Sequence, residues 1–157
     1  MVIEPSFAQV SPATTLCWFY ECGKLEHING LEYLNTANSQ SMENMFNGCT
    51  SLQSLDLSRF STANATNLSG MFSGCTSLTA LDLASFNTAN VTNMAGMFNG
   101  CTLLQSVNVG GFNTAKVTSM SNMFKDCAAL ATLDLSTFNT AQVYNFTGMF
   151  SGCTALR

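Results

Sequence analysis

Residues 71–94 read MFSGCTSLTALDLASFNTANVTNM, and this stretch decides the fold because the chain repeats it with small changes. Six of the seven cysteines mark the copies, at spacings of 27, 26, 26, 26 and 26 residues: Cys22, Cys49, Cys75, Cys101, Cys127 and Cys153. A constant spacing of this length is typical of repeat proteins, in which each unit packs against the next. We therefore expect a single domain of stacked coils.

Each copy is expected to contain one short strand. Residues 78–83 end in alternating apolar and polar side chains, as a strand with one inward face does. Equivalent segments at 52–57, 104–109 and 130–135 would pair with it in a parallel sheet, at about 4.8 Å between strands. The 26-residue period and the pattern Leu52-x-x-Leu55-x-Leu57 match leucine-rich repeats. The sequence thus predicts a solenoid whose inward leucine, phenylalanine and methionine columns form the core.

A short helical or 3₁₀ turn is expected at each Met-Phe pair. The residues before each pair and before each cysteine are only Gly, Asn or Asp: Asn44, Gly70, Gly96, Asn122 and Gly148, then Gly48, Gly74, Gly100, Asp126 and Gly152. These residue types adopt a positive φ at the lowest cost. A threonine column is expected to satisfy backbone groups of another turn: Thr36, Thr62, Thr88, Thr114 and Thr140.

The two ends of the chain depart from the repeat. Residues 1–17 lack its pattern and are predicted to form an N-terminal cap, followed by five to six repeats over residues 18–157. Residues 1–10 lack the basic and apolar pattern of a secretory signal. The array stops at Arg157 without a polar cap, which predicts truncation and possible end-to-end self-association through an exposed edge.

The composition limits the classes of partner. Charged residues make up 9% of the chain, and five Lys and Arg against nine Asp and Glu give a net charge of -4. Such a surface has little with which to neutralise a phosphate backbone, so nucleic acid is not an expected partner. No apolar run approaches the roughly 20 residues that a membrane-spanning helix requires.

The cysteines are predicted to be reduced thiols in the core, because ladder neighbours about 4.8 Å apart do not match disulfide geometry. Cys17 and Cys22 are the exception, since they could close a small loop in an oxidising compartment. With a single histidine, His27, and no paired cysteine motif, we expect no metal site and no cofactor. The same shortage of catalytic bases predicts that the protein is not an enzyme.

One polar column offers a candidate binding surface. It lies at the outward position between two inward strand residues, beside a column of small side chains. Repeat proteins commonly bind their partners through such an extended outward face. We name this surface the strand face, and its predicted ligand-binding residues are Asn29, Ser54, Asp56, Asp82, Ser106, Asn108, Thr132 and Asp134. The alternative interpretation is a solvated polar surface with no partner.

Residues 81–104 contain the motif Leu-Asp-Leu-x-x-Phe-Asn-Thr-Ala-x-Val-Thr-Asn-Met-x-Gly-Met-Phe-x-Gly-Cys-Thr-x-Leu. This motif resembles the BspA-like leucine-rich repeats, and the resemblance extends over residues 18–156. The resemblance implies a right-handed coil stack and a cell-surface or secreted protein of bacterial type. Some such proteins bind host extracellular matrix or surface proteins such as fibronectin or fibrinogen. It transfers no ligand site, because the shared residues build the coil. We expect an adhesin-like protein-binding module; the alternative is a passive spacer that projects another domain.

Overall fold

Successive 26-residue units lie directly against one another in the computed structural model, which describes residues 1–157. One column of single-residue parallel bridges runs through the whole stack, joining Thr14, Ser41, Asn67, Asn93, Ser119 and Asn145 in turn. We number the coils from their cysteines: coil 1 is 22–48, coil 2 is 49–74, coil 3 is 75–100, coil 4 is 101–126 and coil 5 is 127–152. The predicted repeat organisation is confirmed.

Regular secondary structure is sparser than the sequence predicts. Two strands, β1 (Ala80–Asp82) and β2 (Ser106–Asn108), pair in parallel, with Leu81 opposite Val107. The predicted strands at 52–57 and 130–135 are wrong, because neither segment forms a strand. Both segments carry exposed residues, so water can satisfy amides that a sheet would otherwise have to pair.

The Met-Phe turns are hydrogen-bonded but are not helices, which corrects the predicted helical or 3₁₀ turn. Met71 and Ser73 donate their amides backward within the turn, to carbonyls three residues earlier at 3.3 and 3.0 Å. Phe72 and Gly74 donate forward to carbonyls of coil 3, those of Met97 and Asn99, at 2.9 and 2.7 Å. This alternation joins neighbouring coils and prevents a continuous helical ladder. The two 3₁₀ helices lie elsewhere, at Pro5–Gln9 and Leu31–Tyr33.

The predicted positive φ angles are confirmed in both columns. Gly70 and Gly74 have φ of 62° and 69°, and the non-glycine members Asn44, Asn122 and Asp126 lie between 55° and 58°. Cys17 and Glu21, each at 56°, continue the two columns one coil earlier. The backbone therefore keeps the turn geometry even where the sequence has lost its usual residue types.

Side-chain columns fill the interior. The phenylalanines of the Met-Phe turns stack in one continuous row with ring centroids 5.2 to 6.0 Å apart: Phe19, Phe46, Phe72, Phe98, Phe124 and Phe150. Four cysteines are fully buried beside this row, and each thiol donates to the carbonyl of a phenylalanine 29 or 30 residues earlier, as Cys101 does to Phe72 at 3.0 Å. The predicted burial of the cysteine ladder is confirmed for coils 2 to 5.

The threonine column joins the coils through buried hydroxyls, as predicted. Thr88 Oγ1 donates to the Asn113 carbonyl at 3.0 Å and accepts from the Asn113 amide at 2.7 Å. The same donation recurs for Thr36, Thr62 and Thr114. Thr140 is exposed, because no further coil covers coil 5 at this position.

The N-terminal residues pair with the first coil. Val2 forms a parallel bridge with Asn29, and Thr14 begins the column of bridges. Thr15 then occupies the column of Met42 and is itself fully buried. Backbone pairing in register with the repeats thus starts before residue 18, while the division into a cap at 1–17 and repeats at 18–157 stays a prediction.

Candidate binding face

The strand face is exposed along its whole length. All eight predicted residues are solvent-exposed: Asn29, Ser54, Asp56, Asp82, Ser106, Asn108, Thr132 and Asp134. The pairing of β1 with β2 sets Asp82 beside Asn108 and Ala80 beside Ser106. Equivalent residues of adjacent coils therefore lie next to each other, and their side chains form a polar row on one side of the stack.

The aspartates of this row also shape the backbone, a role that the column pattern did not reveal. Oδ1 of Asp56, Asp82 and Asp134 accepts a hydrogen bond from the amide two residues later, at 3.0, 3.0 and 2.9 Å. Asn108 makes the same contact at 3.2 Å. These are Asx turns, which end the outward segment and redirect the chain. Either Asp or Asn supplies the oxygen, which accounts for both residue types in one column.

Charge on the strand face is moderated by its neighbours. Asn108 Nδ2 donates to Asp82 Oδ1 at 3.0 Å, so an amide lies where two carboxylates would face each other. Hydrogen bonds from the Ser58 side chain and amide lower the pKa of Asp56. The backbone amide and side chain of Ser136 lower the pKa of Asp134. Hydrogen bonds from the turn residues thus favour the ionised form of Asp56 and Asp134.

A shallow depression lies at one end of the strand face, with a volume of about 510 Å³. It is lined by side chains from coils 1, 2 and 3: His27, Gln53, Ser54, Ser77 and Thr79. Of these, only Ser54 belongs to the predicted site. The pattern within one column does not reveal the other four, because a groove between coils combines residues of several columns.

The thiols of the four fully buried cysteines are held in their protonated form. Burial raises the pKa of Cys49 to about 11 and that of Cys75 to about 12. Since the thiolate is the nucleophile and the metal ligand, these side chains act as packing and hydrogen-bonding groups at neutral pH. No group of three or more His, Cys, Asp or Glu side chains has the arrangement of a metal site.

No helix in the structure has the length and apolar character needed to cross a membrane.

No curated protein and no solved structure matches the chain. The profile of one protein family matches twice, over residues 15–106 and 77–157. That family is described as "Mycoplasma protein of unknown function, DUF285". The two overlapping matches cover all the coils, and the chain therefore belongs to the DUF285 family.

Proposed function

We propose that the chain is a non-catalytic, adhesin-like module, secreted or held at the cell surface, that binds proteins through its strand face. The observation that carries this proposal is the exposure of one polar row, in register from coil 1 to coil 5. Successive coils repeat the same backbone, so the row offers hydrogen-bonding groups at regular intervals to an extended partner. The expected partners are host extracellular matrix or surface proteins, in keeping with the resemblance to BspA-like repeats.

The chemistry of the row favours a polar contact. Small side chains, Ser54, Ala80, Ser106 and Thr132, flank the aspartate and asparagine column and leave it accessible. The row carries three carboxylates, Asp56, Asp82 and Asp134, and a basic segment of a partner would complement them. Partner recognition would then depend on hydrogen bonds and on this modest negative charge.

We further propose that the stack is a right-handed leucine-rich-repeat solenoid of the BspA-like type. Its support is the leucine pattern of each coil together with the buried phenylalanine, methionine and cysteine columns. An experimental structure would establish the hand of the coil.

The alternative function is a passive spacer that projects another domain. The Asx turns support it, since they give the aspartates a structural reason to be present without any partner. The two functions differ in one respect that can be measured. A spacer tolerates replacement of its exposed side chains as long as the coils stay stacked, whereas a binding module loses its partner.

The structure dictates which substitutions separate these functions. Asp56→Asn, Asp82→Asn and Asp134→Asn together remove three charges and keep the oxygen that accepts the turn amide, as Asn108 does naturally. Ser106→Arg and Thr132→Arg together cover the row with bulky side chains of opposite charge. The control variant carries Ser73→Ala, Asn99→Ala and Ser151→Ala in the Met-Phe turns, where these side chains form no hydrogen bond within the chain.

Binding would be measured on immobilised fibronectin and fibrinogen by interferometry, after circular dichroism has shown that all variants are folded. We expect the wild-type chain and the turn variant to bind alike and both face variants to bind at least about tenfold more weakly, the usual effect of losing a contact worth about 1.4 kcal/mol. Loss of binding in the turn variant alone would place the site on the turns. Equal behaviour of every variant would favour the spacer.

A further inference from the structure

The depression between coils 1, 2 and 3 contains hydrogen-bonding groups that the fold leaves unused. None of its five side chains, His27, Gln53, Ser54, Ser77 and Thr79, donates or accepts a hydrogen bond within the chain. Threonines one column away behave differently. Thr76 Oγ1, for example, donates to the Thr50 carbonyl at 3.1 Å, and the same contact recurs along its column. The depression thus brings together five polar side chains whose hydrogen-bonding groups can pair with a ligand.

The backbone under the depression is also open. Between coil 2 and β1 no backbone hydrogen bond joins residues 53–57 to residues 79–83, whereas β1 and β2 are paired in register. The amides of Ser54, Leu55 and Asp56 have no acceptor within the chain. Because four of the five lining residues are exposed and Ser77 is half-buried, water or a ligand can reach these groups.

The lining indicates the class of ligand. A volume of about 510 Å³ lies within the roughly 300 to 1,000 Å³ typical of small-molecule sites, but such sites are mostly apolar and this one contains no hydrophobic side chain. It also contains no carboxylate, lysine or arginine, so it lacks the charge-assisted contacts that hold phosphates and carboxylates. Hydroxyl, amide and imidazole groups both donate and accept. A neutral ligand with many hydroxyls matches this set.

We infer that the depression is a binding site for a neutral saccharide. The hydroxyls of Ser54, Ser77 and Thr79 and the amide of Gln53 pair with sugar hydroxyls, and His27 closes one side. This activity is separate from protein binding by the strand face and shares only Ser54 with it. Either proposal can fail while the other holds, because the variants that remove lining side chains of the depression share no residue with those that change the strand face.

The test uses the only histidine in the chain as a reporter. The imidazole resonances of His27 are followed by proton NMR while the full chain is titrated with lactose, maltose or diacetylchitobiose at millimolar concentrations. Sialic acid and the peptide Gly-Gln-Gly serve as an anionic sugar and a peptide probe. We expect at least one neutral disaccharide to shift the signals saturably and neither control ligand to do so.

Matched variants locate the effect. Gln53→Ala with Ser77→Ala removes two partners, and Thr79→Val provides a near-isosteric second variant. The control, Gln105→Ala with Ser106→Ala, changes the positions in coil 4 that correspond to Gln53 and Ser54 and lie outside the depression. We expect the lining variants to bind about tenfold more weakly or worse, since a ligand hydroxyl loses its partner, and the control to bind normally.

Three results would overturn the inference. The first is the absence of a saturable His27 shift with all three neutral disaccharides. The second is an equal shift in the lining and control variants. A shift with the peptide alone also overturns it, and would assign the depression to the protein-binding surface.

Discussion

Replacing Phe98 by Ala tests how strongly the coils depend on the stacked aromatic row. Phe98 is fully buried, and its ring stacks on Phe72 at 5.8 Å and on Phe124 at 5.2 Å. Buried Phe→Ala substitutions lower the free energy of unfolding by about 3 to 5 kcal/mol. Because Phe98→Ala also removes two aromatic contacts, we expect a loss of about 4 to 5 kcal/mol. Phe150 provides a matched control in the same row, because it is 42% exposed and stacks on one ring only, at 6.0 Å.

The partial burial of Phe150 contributes about 1 to 2 kcal/mol to the free energy of unfolding. The loss on Phe150→Ala should therefore be about 3 kcal/mol smaller than the loss on Phe98→Ala. Urea unfolding followed by circular dichroism measures both variants against the wild-type chain. We expect Phe98→Ala to lower the midpoint far more than Phe150→Ala, or to unfold the chain outright. Equal shifts would contradict the inward, doubly stacked position of Phe98.

Three further predictions concern other columns. Thr88→Val should lower the free energy of unfolding by about 1 to 3 kcal/mol, because it leaves the backbone amide and carbonyl of Asn113 unpaired. Thr140→Val is the control and should have little effect in the same urea assay, since Thr140 is exposed. The lowered pKa of Asp134 contributes stability that is present above its unfolded pKa and is lost as pH falls through its folded pKa. The wild-type chain should therefore lose more stability in acid than Asp134→Asn does. Thermal midpoints of the two proteins that fall in parallel down to pH 2 would refute this. Thiol titration near neutral pH should detect mainly the exposed Cys17 and Cys22 before denaturation and about five more thiols afterwards. If the buried cysteine thiols reacted before denaturation, the prediction that they are inaccessible in the folded chain would be wrong.

The sequence predicted the features that depend on residue type at repeat spacing. The 26-residue period located the buried columns and the exposed row, and the Gly, Asn and Asp columns located the positive φ angles. Cys17 and Glu21 could not be found in this way. Their backbone geometry is imposed by pairing with the following coil, at Glu43 and Asn47.

The sequence overestimated regular secondary structure for a similar reason. Residues 52–57 and 78–83 have the same leucine pattern, yet only the second segment contains a strand. Whether a strand forms depends on the distance and alignment of the neighbouring coil, which the pattern within one coil does not determine. The Met-Phe turn likewise shares its amides between its own carbonyls and the next coil, which only the stacked structure reveals.

Site-directed photo-crosslinking tests the central claim most directly, because it reports which face a bound protein touches. Benzoylphenylalanine would replace Ser106 on the strand face or, as control, Ser151 in a Met-Phe turn, since both positions are exposed. Each variant would be irradiated with purified fibronectin and with fibrinogen. If the strand face is the binding surface, we expect a covalent adduct from position 106 and none from position 151. Adducts from position 151 alone, or from neither position with both proteins, would contradict it.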